Sequence, residues 1–156
     1  MLESNPEIKI ILLGESGVGK TNLINVICNL DFQINPGSTS AAFCREREYK
    51  YKNNSYIYTL LDTAGQEKYR SVNKFMVRGS NIILIVYSKI SKESFNEVDF
   101  WINYVKENVG DDKYIMALVA NKNDLYEYDE VKYEEGQEVA KKYGIEFLTT
   151  SALKEG

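Results

Sequence analysis

An open α/β sheet, mostly parallel and with helices on both faces, is the fold class that the sequence predicts, and three observations predict it. Five apolar, β-rich runs recur along the chain, helical periodicities separate most of them, and one hairpin interrupts the alternation. The runs are Ile8–Leu13, Tyr56–Leu61, Asn81–Tyr87, Tyr114–Ala120 and Ile145–Thr149. Three of them are nearly continuous in apolar residues, which is the pattern of strands covered on both faces.

Taken in order, Ile8–Leu13 opens the sheet and Lys20–Leu30 follows as a helix, with Leu23, Val26, Ile27 and Leu30 on one face. Asp31–Ala42 carries Pro36, Gly37 and small polar residues without periodicity. It reads as a long loop, and long loops in compact domains are usually functional or disordered. Phe43–Tyr51 and Tyr56–Leu61 flank the turn-prone trio Asn53-Asn54-Ser55, so these two strands are expected to run antiparallel. Ser91–Val109 predicts one helix, with Phe95, Val98, Trp101, Ile102 and Val105 facing inward. Val131–Tyr143 predicts a charged helix whose narrow apolar side is Val139 and Tyr143. No repeat or linker interrupts residues 1–156, which read as a single domain.

Composition narrows the chemistry. Histidine is absent, which excludes a Ser-His-Asp triad, a His-ligated metal and His acid–base catalysis. Two cysteines, Cys28 and Cys44, are too few for a disulfide framework or a four-Cys zinc site. A net charge of −4 leaves no electrostatic footprint for nucleic acid. No apolar run has the length of a membrane span, and Met1–Glu7 does not read as a secretory signal.

Four motifs then follow in order. Gly14-Glu15-Ser16-Gly17-Val18-Gly19-Lys20-Thr21 fits G-x-x-x-x-G-K-[ST], between a strand and a helix as that pattern requires. Glycines let successive N–H groups point at one anion, so Ser16, Gly17, Val18, Gly19, Lys20, Thr21 and Asn22 are candidate phosphate-binding residues. Lys20 is expected to reach the β- and γ-phosphates, and the Thr21 hydroxyl to coordinate Mg²⁺. Asp62-Thr63-Ala64-Gly65-Gln66-Glu67 ends the next central strand. Asp62 suits a metal held through water, the Gly65 N–H suits a γ-phosphate, and Gln66 can orient an attacking water.

Asn121-Lys122-Asn123-Asp124 follows the strand Tyr114–Ala120. The Asp124 carboxylate accepts from two neighbouring N–H donors, an edge that guanine has and adenine lacks. An ATPase or nucleotide kinase sharing only the phosphate loop is disfavoured on that ground. Thr150-Ser151-Ala152-Leu153 closes the last strand, and its backbone N–H groups suit the guanine oxygen.

The order GESGVGKT, DTAGQE, NKND, TSAL resembles the Ras superfamily of small GTPases, and the Rab branch in particular. KTNLI after the first loop, EKYRSV after DTAGQ, VRGSNIILIVY and WINYVKEN are further Rab-like strings, so the resemblance covers Ile8 to Gly156. It implies a P-loop NTPase-type sheet and a switch that binds GTP or GDP with Mg²⁺ and hydrolyses GTP slowly. It implies a GTPase-activating protein, an exchange factor and effectors acting through Asp31–Phe43 and Gly65–Gly79. It also implies that Asn121, Lys122 and Asp124 form the base site, that Phe32 packs on the guanine edge, and that Lys20 and Gln66 serve hydrolysis.

Three departures qualify the resemblance. The first switch of Rab proteins carries Thr-Ile-Gly, with the Thr on Mg²⁺; here Gly37-Ser38-Thr39-Ser40-Ala41-Ala42 stands instead. An ungapped count from Lys20 favours Thr39 as the metal ligand, a shifted register favours Ser38, and a third reading docks no hydroxyl. An inert guanine-nucleotide-holding scaffold is therefore the alternative function. Leu61 stands where most Rabs have Trp, and Ser88 where they have Asp, which bears on partner identity. Third, the chain stops at Gly156, while family members continue into a final amphipathic helix and a prenylated tail. The expectation is a small-GTPase domain without that last helix, either cut short before it or one domain of a longer chain, and cytoplasmic in itself. Any placement on the cytosolic face of endomembranes would come through the tail of the full-length protein.

Overall fold

The computed structural model describes residues 4–28, 43–63, 74–110 and 113–151. In them β1 (Glu7–Leu13) leads to α1 (Lys20–Ile27), and β2 (Phe43–Tyr51) turns into β3 (Asn54–Asp62). Then come α2 (Lys74–Arg78), β4 (Ile82–Ser88), α3 (Lys92–Asn96), α4 (Val98–Asn108), β5 (Ile115–Asn121), α5 (Tyr133–Tyr143) and β6 (Glu146–Thr149). The six strands form one sheet in the order β2-β3-β1-β4-β5-β6. Every pairing is parallel except that of β2 with β3.

The near-continuous apolar strands alternate between two buried layers, as a side-chain period of two demands. Ile11 and Leu13 of β1, Ile83, Ile85 and Tyr87 of β4, and Met116, Leu118 and Ala120 of β5 pack with Trp101, Ile102 and Val105 of α4. Leu12, Leu60, Val86 and Val119 face the other way, onto Val18, Leu23 and Ile24. Each fully buried Leu or Ile in these layers contributes about 1.5–3 kcal/mol. Ile24 is wholly buried although the apolar face read from the periodicity does not include it, and Val26 and Ile27, which it does include, are partly buried. Leu30 lies outside the described residues.

Two sequence expectations need correction. The hairpin turn is not Asn53-Asn54-Ser55: Tyr51 pairs with Asn54, leaving Lys52-Asn53 as a two-residue loop. Lys52 takes a positive φ of 53°, the twist such short loops need to match the strands they join. Ser91–Val109 is two helices rather than one. Glu97 sits at φ −92°, ψ 0°, ending α3 and opening α4. The apolar residues keep helical spacing across the break, so periodicity alone does not show it. Ser91 starts α3 as its cap, its hydroxyl accepting from the Ser94 N–H at 3.2 Å.

Candidate functional site

The described residues of all four motifs gather at the carboxyl edge of the sheet. β1 lies between β3 and β4, where the order of strands reverses, and such switch points are where ligands bind in open α/β sheets. The chain leaves β1 through Gly14, whose backbone runs so close to β4 that a Cβ there would overlap the Val86 carbonyl. Gly19, at φ 98°, caps α1, and a Cβ on it would overlap the Asn121 amide. Both positions demand glycine on space as well as on backbone angle. Lys20 begins α1 with 3% of its surface exposed. Its ammonium folds back across the loop, donating to the carbonyls of Gly14 at 2.9 Å and Glu15 at 2.8 Å.

Register sets the acidic partner. Leu12 pairs with Asp62, so the end of β3 lies level with the start of the phosphate loop. Asp62 is fully buried, and its Oδ2 accepts from the Thr21 hydroxyl at 2.7 Å. Thr63 fixes this corner by donating to the Leu12 carbonyl at 2.7 Å. A hydroxyl and a carboxylate thus converge at the amino end of α1.

The third and fourth motifs interlock with the first. Asn121, buried at the end of β5, donates from Nδ2 to the Val18 carbonyl at 2.8 Å. Its Oδ1 accepts from the Thr150 hydroxyl at 3.1 Å. Lys122 takes a left-handed backbone (φ 63°, ψ 37°) that turns its side chain back over the loop, where Nζ donates to the Gly17 carbonyl at 2.8 Å. Burial lowers the Lys122 ammonium below its ordinary pKa, and the nearby Asp124 charge restores part of the shift. Asp124 accepts a hydrogen bond from the Ser151 hydroxyl. A carboxylate offers about four lone-pair sites, so that bond leaves room for two further donors.

Residues 9–156 match the Ras family. The chain belongs to the Ras family. Its relatives within the Ras family include Rab-11B of Dictyostelium discoideum, 40% identical over 93% of this chain and 66% of the relative. Rab-11A of the same organism is 35% identical over 93% of this chain and 67% of its own length. Rab2BV of Beta vulgaris is 33% identical over 94% of this chain and 68% of its own. The chain therefore spans about two thirds of the length of the curated relatives it matches, and it is a Rab-like member of the superfamily. Members of the Ras family are small GTPases.

Of the candidate site residues read from the sequence, Gly17, Val18, Gly19, Lys20, Thr21, Asp62, Asn121, Lys122, Asp124 and Ser151 come together at this edge, with Ser16 in the same loop and Asn22 in α1. Phe32, Ser38, Thr39, Gly65, Gln66, Ala152 and Leu153 lie outside the described residues. Three side-chain contacts are not visible in the sequence. Glu15 accepts from the Trp101 indole N–H at 3.1 Å, tying the loop to α4. The Thr150 hydroxyl orients Asn121. Lys89, the residue after β4, sits 7% exposed beneath the base segment, and its only sequence signal is a charge closing an apolar run.

Proposed function

We propose that this chain is a Rab-type guanine-nucleotide switch that binds GTP and GDP with Mg²⁺ and hydrolyses GTP slowly, in vesicle trafficking. Family membership supports it. The observation that carries it is the lock between base segment and phosphate loop, in which Asn121 and Lys122 reach the Val18 and Gly17 carbonyls. One rigid unit then grips both ends of a nucleotide, the base by Asp124 and the phosphates by the loop amides.

The residues fit a divalent cation. The Thr21 hydroxyl and the buried Asp62 carboxylate are hard oxygen donors 2.7 Å apart, a set that suits Mg²⁺ over softer metals. Bound there, the cation would neutralise charge on the phosphates. Lys20 would exchange its two loop carbonyls for β- and γ-phosphate oxygens, and loop amides would meet charge developing on the transferred group. Gln66 would hold the attacking water. Thr39, or Ser38 in a shifted register, would join the metal, Gly65 would meet the γ-phosphate, Phe32 would flank the base, and the amides of Ser151, Ala152 and Leu153 would face the guanine oxygen.

The partners follow from the same reading. A GTPase-activating protein, an exchange factor and effectors would engage residues 31–43 and 65–79, and the full-length protein would associate with endomembranes.

Chromatography of the nucleotide released from the purified, denatured protein tests the proposal. GDP or GTP is expected; an adenine nucleotide overturns it. Single-turnover hydrolysis on the order of 10⁻⁴ s⁻¹ or slower, accelerated by an activating protein, is expected of a working switch. No turnover under either condition would move the chain to the nucleotide-holding scaffold.

A further inference from the structure

We infer that Lys89 is a positioning residue for guanine recognition, clamping the base-reading segment from the side opposite the phosphate loop; the inference rests on the base-site reading above. The segment after β5 runs as 3₁₀ turns from Asn123 to Tyr128, broken at Leu125, and none of its residues is buried. Apolar packing therefore does not hold it. Its inner residues are tied toward the nucleotide side: Asn121 and Lys122 to the phosphate loop, Asp124 to Ser151, and the Asn123 N–H to the Thr150 carbonyl at 3.1 Å.

Lys89 supplies the opposing grip. Its Nζ donates to Asn123 Oδ1 at 3.0 Å and pairs with Asp129 Oδ2 at 2.9 Å. Asn123 opens the 3₁₀ stretch and Asp129 directly follows it, so one ammonium spans both ends of an otherwise exposed segment. The Lys89 backbone completes the clamp. Its N–H donates to the Asn121 carbonyl at 3.1 Å, and its own carbonyl accepts from Glu130 at 2.8 Å and Val131 at 3.1 Å. With an 8% exposed side chain, this cation is largely desolvated, so its bonds are strong and directional rather than screened. Asp124 sits inside the clamped stretch, next to Asn123. Its ability to meet two base donors at once depends on the segment keeping its position.

The test compares GDP with IDP in Mg²⁺ buffer. Hypoxanthine lacks the 2-amino group, so the GDP/IDP affinity ratio reads the second hydrogen bond to Asp124. Lys89→Met keeps the apolar stem and removes the charge; Asp129→Asn, at a 28% exposed side chain, removes the opposite charge at one end of the clamp with little risk to folding. Each is expected to release a fluorescent GDP analogue about tenfold faster and to lower the GDP/IDP ratio by a similar factor, the worth of one charge-assisted bond. Lys89→Arg is expected to restore both toward wild type. Release rate and ratio unchanged in Asp129→Asn, or a lower melting temperature in Lys89→Met with an unchanged ratio, would overturn the inference and leave Lys89 as structural. A wild-type ratio near one would instead overturn the base-site reading itself.

Discussion

At the scale of single residues, the proposed guanine recognition places the choice of base on Asp124. Its carboxylate already accepts from Ser151, which holds it in one orientation and lets it meet two N–H donors without reorganisation. Asp124→Asn turns one acceptor into a donor and leaves an unmet pairing against guanine. GDP affinity should fall by roughly a hundredfold or more, and xanthosine diphosphate, whose 2-oxo group accepts from the new amide, should bind better than GDP. Competition between the two nucleotides measures this. Unchanged GDP affinity would remove Asp124 from the base site. The motif was legible because four polar residues close a strand in a fixed order. Its support was not, because Thr150 and Lys89 reach Asn121 and Asn123 only once distant strands are aligned.

Among the elements, α5 shows how charge fixes a helix start. Glu135 accepts from the Lys132 N–H at 2.8 Å, reaching back to the start of its own helix, and pairs with Lys92 at the head of α3, joining two helices. The hydrogen bond from Lys92, then the backbone bond from Lys132, hold its carboxyl below the ordinary carboxylate value of 4.5. A lowered folded value means stability that is complete above 4.5 and is lost as pH falls through the lowered value. Glu135→Gln should therefore lower the melting temperature near neutral pH and make no difference in strong acid. Thermal melts across pH would show it, and an equal loss at every pH would assign the effect to helix packing instead. Most strands were legible from apolar runs, and the hairpin from a turn-prone trio that overlaps the true loop only at Asn53. The division of α3 from α4 was not, since Glu97 breaks the backbone without Pro or Gly to announce it.

At the scale of the whole molecule, the described residues cover the two faces of the sheet unequally. Among the described residues, Trp101, Ile102 and Val105 of α4, with Val77 of α2 and Ala140 of α5, close one layer, while α1 alone packs on the other. On the α1 side Ile10 and Leu84 are only partly buried, and Leu148 of β6 is 46% exposed. A continuation that lays an amphipathic helix over this edge should raise the melting temperature by about 2–6 °C, the effect of burying one or two Leu-sized side chains. Calorimetry on the lengthened and present chains compares them, and equal temperatures would mean the edge is satisfied as it stands. The asymmetry also has an optical consequence. The chain has one tryptophan, and Trp101 is sealed in the better-covered layer with its indole nitrogen resting on Glu15 of the phosphate loop. Excited beyond the absorption of the tyrosines, this indole is a built-in reporter at the loop: its emission should change when GDP is added, and an unchanged spectrum would mean that the Glu15 contact does not sense the nucleotide.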